Sequence, residues 1–331
     1  MGVSPARLLA LGRQPAMLAR LALASVIVNV LIVITGGAVR LTGSGLGCPT
    51  WPTCTENSLV PTSQNAFHAR IEFANRQLTF VVVVVVLATL LVAVLVRRQR
   101  RLAVLLAASI PAQAVLGGIS VLTKLNPWVV AAHFLLSIAI IAIAFVLWWR
   151  VRLQPAGQQA GPALRAAGWA LLAVTAAVLA VGTVVTGSGP HAGDKGATHR
   201  IHLAPSSVSQ LHADLVMLLI GVSIGFVLLA RSAGADRAVQ RGGWWLLGIE
   251  LAQGFIGYLQ YFTHVPAILV GIHMLGACLV WLAALTVLAQ LGVVTTGTAG
   301  GVPGGPSEQR HGIALSQQNQ ASQVARPNLR G

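Results

Sequence analysis

Long, uninterrupted runs of apolar residues dominate the chain. A helix needs about 20 apolar residues to cross the hydrocarbon core of a bilayer, and eight runs reach that length. The runs are continuous rather than alternating between apolar and polar residues, which excludes a transmembrane β-barrel. The β-branched stretch FVVVVVV at 80–86 is still predicted to be helical, because a helix satisfies its own backbone in lipid. The predicted spans are about 18–39, 77–96, 102–122, 129–149, 164–186, 211–230, 243–262 and 267–289.

Composition and charge narrow the class further. Of 331 residues, 55% are hydrophobic and only 9% are charged, whereas a soluble domain has about 25% charged residues. The net charge of +15 would suggest a nucleic-acid partner in a soluble protein. Here the basic residues instead lie in short clusters between apolar runs. We therefore predict an all-α polytopic membrane protein, surrounded by membrane lipid, with no nucleic-acid partner.

The distribution of basic residues predicts the orientation. Sixteen of the 22 Lys and Arg residues fall before the first span, after the last, or in the second, fourth and sixth connections. Cytoplasmic loops carry this excess, so both termini are predicted to be cytoplasmic in the cell membrane. The first apolar run is long and no suitable cleavage site follows it, so it is predicted to be a span rather than a signal peptide.

Short matching motifs predict an internal duplication. TGSG occurs at 42–45 and 186–189, and FHA at 67–69 matches LHA at 211–213 at the same offset. At a slightly different offset, Gln113, Gly117 and His133 match Gln253, Gly257 and His273. Eight spans then form two tandemly duplicated four-helix bundles of parallel topology. The predicted parts are a cytoplasmic N-terminal segment (1–17), a first bundle (18–150), a cytoplasmic linker (151–163), a second bundle (164–290) and a disordered cytoplasmic tail (291–331), which is rich in Gly, Pro, Ser and Gln.

Four histidines occupy the outer ends of the even-numbered spans: His68, His133, His212 and His273. Polar residues at membrane depth face the bundle interior and are functional by default. Two imidazoles that face each other across a bundle core suit axial ligation of a haem iron. The alternative is that each histidine only hydrogen bonds a backbone carbonyl or a neighbouring helix.

The start of the second span carries further polar residues. In FHARIEFANRQLT (67–79), His68, Glu72 and Asn75 share one helical stripe, and Arg76 lies beside it. Glu72 either pairs with Arg70 or Arg76, or it handles protons or orients a substrate. Two further carboxylates, Asp214 and Glu250, are expected to hydrogen bond to facing helices.

Cys48 and Cys54 flank PTWPT in the first outer connection. The outer compartment is oxidising, so a structural or regulatory disulfide is allowed. The alternative is a redox-active dithiol that exchanges with a partner. A zinc site would normally need four ligands. Cys278, inside the last span, is expected to pack as a small apolar residue.

At these residues the sequence resembles the bacterial haem A synthase family. The resemblance rests on VRLTGSGLGCPTWPTC at 39–54, on EFANR at 72–76 as a form of E-x-x-[H/N]-R, and on the duplicated histidine pairs. It covers about 18–290, and the Ala- and Val-rich composition resembles actinobacterial members.

The resemblance implies an oxidoreductase that converts haem O to haem A for cytochrome oxidase assembly. The C8 methyl group would be hydroxylated twice and dehydrated to a formyl group. A haem b cofactor would bind His212 and His273 in the second bundle. The first bundle would hold the substrate haem, and Glu72 would be the catalytic residue. The residues implied around the substrate are His133, His68, Asn75 and Arg76. Haem O synthase and an electron donor are the implied partners, and the sequence leaves a homo-oligomer open.

Two departures from the family pattern affect this expectation. The usual motif has its ligand histidine where this chain has Asn75, and Asn is a poor iron ligand. That axial position is then open, bridged by water, or occupied by His68, which the internal repeat favours. The outer connection at 187–210 also lacks the second cysteine pair of many relatives. Two rival functions share part of this pattern: a di-haem b cytochrome that only transfers electrons, and a transporter built from a parallel repeat.

Overall fold

The computed structural model describes residues 14–61, 66–152, 160–191, 193–194 and 199–294. Over these ranges the chain forms eight α-helices, and no strand longer than an isolated bridge. The predicted segment 1–17 is described only from residue 14, and the predicted tail only up to residue 294. The helices are α1 (Pro15–Leu41), α2 (Ala66–Val96), α3 (Arg100–Leu122), α4 (Pro127–Val151), α5 (Pro162–Ser188), α6 (Pro205–Ser232), α7 (Arg237–Phe262) and α8 (Ala267–Gln290).

Local sequence explains where several helices begin. Helices α1, α4, α5 and α6 start with proline, which presets the helical φ and lacks the N–H donor that a first turn leaves unsatisfied. Asn126 caps α4, because its side chain accepts a hydrogen bond from the N–H of Trp128 at 3.0 Å. Helix α2 begins about a turn and a half before Glu72. It is therefore longer than the apolar run at 77–96 predicts. The polar stretch from Ala66 onwards is helical because it has partners in the preceding loop.

Seven of the eight helices are long and apolar enough to cross a membrane. The remaining helix, α7, carries Glu250, Gln253 and Gln260 among its apolar residues, and its role as a span stays a prediction. It packs against α6 and α8 like its counterpart in the first half. The predicted class, an all-α polytopic membrane protein, is confirmed. The side of the membrane on which each end lies stays a prediction.

The helices pack as two rings of four. In the first ring α1 and α3 each contact α2 and α4, and in the second α5 and α7 each contact α6 and α8. The rings meet along α4 and α8, and the flanking contacts of α1 with α8 and of α5 with α4 correspond to each other. Every contact in one half thus has a counterpart in the other, as a duplication predicts. Across this interface the Trp281 indole N–H donates to the carbonyl of Ile138 at 3.1 Å.

Candidate functional site

The connection between α1 and α2, which we call the Cys loop (residues 42–61), folds over the start of α2. Cys48 and Cys54 form a disulfide, and both are buried. The pairing allowed by the sequence is therefore present, whereas redox exchange with a partner stays a prediction. Gly47 lies so close to α2 that an added Cβ would be 2.6 Å from the backbone of His68. Only glycine permits this approach of loop to helix.

Two charged side chains of α2 attach the Cys loop to the helix. Glu72 accepts a hydrogen bond from the N–H of Cys48 at 2.7 Å and forms an ion pair with Arg76 at 2.6 Å. Arg76 also donates to the backbone carbonyls of Cys48, Thr50 and Thr53 at 2.9–3.1 Å. The ion-pair interpretation of Glu72 is confirmed, with Arg76 rather than Arg70 as its partner.

Glu72 is buried and has two polar partners. The residue is 5% exposed, so its charge is shielded from water and is balanced by Arg76 and the Cys48 amide. A buried, paired carboxylate keeps a fixed position and direction, because its partners over-determine it. Its predicted catalytic role and the predicted contact of Arg76 with a substrate haem both stay predictions.

His68 and Asn75 have different partners on the same side of α2. The His68 Nδ1 atom hydrogen bonds the hydroxyl of Ser44 in the Cys loop at 2.9 Å. One turn beyond Glu72, the Asn75 side-chain oxygen accepts a hydrogen bond from Thr35 of α1 at 2.7 Å. His68 therefore lies against the loop, whereas Asn75 lies between α1 and α2 inside the bundle.

Helix register shows which of these residues corresponds to His212 in the second half. His212 lies 20 residues before the end of α6 at Ser232. Asn75 lies 21 residues before the end of α2 at Val96, whereas His68 lies 28 residues before it. Counted from the C-terminal end of each helix, Asn75 is at the same depth as His212. His68 is about two turns farther out. The ungapped sequence match of His68 to His212 therefore does not describe their depth.

In the first bundle, His133 of α4 is held by α3. Gln113 donates to the carbonyl of His133 at 3.0 Å, and its side-chain nitrogen lies 3.5 Å from the His133 Nε2 atom. A Cβ at Gly117 would be 2.9 Å from the His133 ring. Gly117 lets α3 pack closely against the His133 ring, and the hydrogen bond from Gln113 holds the two helices together there.

The second bundle repeats this arrangement and adds a second imidazole. Gln253 of α7 donates to the carbonyl of His273 at 2.6 Å, and Gly257 lies next to the His273 ring. His212 of α6 is close enough to His273 for the two rings to interact electrostatically. Gly182 of α5 lies beside the His212 ring, where an added Cβ would be 3.2 Å away. The structure thus brings the predicted pair His212 and His273 together.

The residues of both bundles fit a haem group. His133, His212 and His273 each have a buried Nδ1 atom that finds no hydrogen-bond partner among the residues that the structure describes. Buried polar atoms are normally satisfied, so a buried imidazole nitrogen without a hydrogen-bond partner in a bundle core is typical of a metal-ligand position. The neighbouring glycines let each imidazole ring pack directly against the backbone of the facing helix. His212 and His273 would hold a haem from two sides, whereas His133 would hold one from a single side.

Other predicted polar residues have ordinary partners. Glu250 accepts a hydrogen bond from Ser223 of the facing helix α6 at 2.9 Å, as expected. Asp214 instead accepts from Gln210 of its own helix, so the expected bond to a facing helix is wrong; Asp214 is exposed and points outward. Cys278 is buried in the core and not bonded to another cysteine.

Sequence reasoning missed the residues that join the two halves at the end of the bundles that carries the Cys loop. Arg40 of α1 donates to the carbonyls of His191 and Thr186 at 2.7 and 2.9 Å. The N–H of Gly45 donates to the carbonyl of Gly193 at 2.8 Å. Both contacts lie in or next to the repeated TGSG motifs. The repetition of this motif was the sequence signal that could have indicated a contact between the two halves.

Comparison with known proteins identifies the family of the chain and two relatives. A family model, COX15-CtaA, described as "Cytochrome oxidase assembly protein", matches residues 19–285. Two curated relatives, from Geobacillus thermodenitrificans and from Geobacillus kaustophilus (strain HTA426), are both named "Heme A synthase". Each is 30% identical to the chain, over 138 and 142 residues respectively, covering 40% of this chain. The chain spans 43% of the length of these relatives.

Proposed function

Because the chain belongs to the COX15-CtaA family of cytochrome oxidase assembly proteins, we propose that it acts as a haem A synthase. Its substrate is haem O, and its product is haem A. Each hydroxylation replaces a C–H bond of the C8 methyl with a C–OH group from water, and the two protons and two electrons released pass to a base and to an external redox partner. Loss of water from the resulting geminal diol leaves the formyl group. The chain therefore works as a membrane oxidoreductase.

The observation that carries this proposal is the difference between the two bundles. In the second bundle His212 and His273 are close enough to interact electrostatically, and together they would hold haem b. The first presents His133, with Asn75 at the depth where the second has its other histidine. A haem with one protein imidazole suits a bound substrate, and a haem with two suits a resident electron carrier. Haem b, when bound, supplies one-electron transfer.

The remaining residues of the first bundle position the substrate and manage protons. Gln113 and Gly117 fix the direction of the His133 imidazole. Glu72 provides a carboxylate at the outer end of the same bundle, ready to accept a proton as the diol forms and loses water. Arg76 keeps Glu72 in place and holds the Cys loop over the helix end, which limits the entry of water.

The electron-transfer rival predicts two equivalent haem sites. It requires a second histidine ligand in the first bundle, and His68 is the only candidate on α2. That residue hydrogen bonds Ser44 and lies about two turns outside the depth of His212. The structure therefore favours the enzyme over a symmetric di-haem cytochrome.

The haem content of the purified protein tests the proposal. The chain is co-expressed with a source of haem O, and the bound haems are extracted and separated by chromatography. We expect haem b together with haem A. The variant Glu72→Gln is expected to keep haem b and lose haem A, whereas His273→Ala is expected to lose haem b. The matched control is Asp214→Asn, which removes an exposed carboxylate at the same end and should change neither. Haem b alone in the unaltered protein would refute the enzyme proposal.

A further inference from the structure

A pocket lined mainly by arginines lies at the end of the first bundle that is farthest from the Cys loop. We call it the arginine pocket: it has a volume of about 370 Å³ and is lined by Arg97, Gln99, Arg100, Arg101, Leu102 and Arg150. It is formed by the short turn between α2 and α3 and by the last turn of α4. It is separate from the histidines and from every residue of the proposed haem A synthase site.

No described residue of the protein neutralises the positive charge of the arginine pocket. Among the residues that the structure describes, the one ion pair joins Glu72 and Arg76 at the other end of α2. Arg150 is oriented by a hydrogen bond from its Nε atom to the carbonyl of Val294 at 2.8 Å. Arg97, Arg100 and Arg101 have no carboxylate partner in the same part of the chain. Several unpaired guanidinium groups around one cavity form a site for an anion with several oxygens.

The backbone adds to this preference for an anion. Helix α3 begins at Arg100, so its first N–H groups point towards the pocket end of the helix. Its N-cap residue Gln99 makes no side-chain cap, and no acidic residue lies in its first turn. A helix N-terminus of this kind favours a negatively charged group, phosphate above all.

The surface next to the arginine pocket is apolar. Leu91 and Val94 lie one to two turns before it on α2, and Val104 and Leu105 lie one turn after it on α3. All four are bulky and exposed, with 45–60% of their surface accessible. Helices of this length and apolarity place such residues against lipid chains. A ligand that fits the whole region has a phosphate at one end and hydrocarbon chains at the other.

We propose that the arginine pocket is a specific binding site for the phosphate of an anionic phospholipid headgroup. Basic pockets between transmembrane helices bind such headgroups in general. The phosphate of phosphatidylglycerol has no compensating cation, whereas that of phosphatidylcholine does. The pocket therefore selects the former, and the exposed leucines and valines contact its acyl chains.

Native mass spectrometry of the full-length, detergent-solubilised protein tests the site. The probes are dioleoyl phosphatidylglycerol, dioleoyl phosphatidylcholine, and glycerol 3-phosphate, which has the phosphate without acyl chains. The variant Arg100→Gln/Arg101→Gln is expected to weaken phosphatidylglycerol binding about 25-fold, since one basic residue near an anionic lipid contributes about fivefold. The matched control Arg98→Gln/Arg165→Gln removes two exposed charges at the same end of the protein but outside the pocket, and should change binding less than about twofold.

Three results would overturn the site. Equal losses in the two double variants would mean diffuse charge attraction rather than a pocket. Equal binding of phosphatidylcholine would mean no selection for an anion. Binding of glycerol 3-phosphate as tight as that of phosphatidylglycerol would mean a soluble phosphate as ligand. Circular dichroism checks that both double variants fold, and Arg97→Gln provides a second, milder pocket variant with the same expected direction.

Discussion

Replacing Glu72 by alanine should loosen the Cys loop and destabilise the protein. The change removes the ion pair with Arg76 and leaves the N–H of Cys48 without its acceptor. Breaking a buried ion pair costs about 3–5 kcal/mol. The lower end applies here, because Arg76 keeps its backbone carbonyl partners and its side chain is 21% exposed. The unsatisfied amide adds about 1 kcal/mol. We expect a total loss of about 4 kcal/mol.

The assay is thermal unfolding in mild detergent, followed by tryptophan fluorescence. A loss of about 4 kcal/mol corresponds to a fall in Tm of about 6 °C for a chain of this size. Glu72→Gln keeps an oxygen that accepts from Cys48 and should lose about half as much. The double variant Glu72→Ala/Arg76→Met should be at least about 1 kcal/mol more stable than the sum of the single effects, because the two residues interact directly.

Two results would refute this reasoning. An unchanged Tm for Glu72→Ala would mean that the ion pair contributes nothing to the attachment of the loop. Strict additivity of the two single variants would mean that Glu72 and Arg76 do not act on each other. Both outcomes concern stability, so they are independent of whether the chain makes haem A.

Two further substitutions examine the interior of each bundle. Gly117→Ala places a Cβ 2.9 Å from the His133 ring, so we expect less haem A relative to haem b on chromatography. The control is Gly248→Ala, which has nothing within 4 Å of the new Cβ and should leave this ratio unchanged. Ser223→Ala removes the hydrogen bond to the buried Glu250, and thermal unfolding should show a loss of about 1–3 kcal/mol; a Tm equal to that of the unaltered protein would contradict that role of Ser223.

The sequence predicted the apolar centre of each helix but not its polar ends. Residues 77–96 were recognised as a span because hydropathy depends on the residues themselves. The helical turns before them depend on the Cys loop, which supplies the amide for Glu72 and the carbonyls for Arg76. Such partners are distant in sequence and leave no hydropathy signal. The same limit applies to Arg40, whose acceptors belong to the other half of the chain.

The candidate site was predicted in its residue types and only partly in its geometry. Matching spacings identified His133 and His273 as equivalent. In the structure the carbonyl of each accepts a hydrogen bond from a glutamine, Gln113 for His133 and Gln253 for His273. The match of His68 to His212 failed because α2 and α6 begin at different distances from their histidines. A motif records order along the chain, whereas depth in a bundle depends on where each helix starts and ends.

Gln113 donates to the carbonyl of His133, and Gln253 donates to that of His273. The helix pairs α3–α4 and α7–α8 therefore share the same contact. This contact of a glutamine with a histidine carbonyl is common to the two halves of the chain. The two halves differ in another helix, where α2 carries Asn75 at the depth at which α6 carries His212. An ancestral protein with two identical halves would then have become two unequal ones through changes in a single helix and the loop before it.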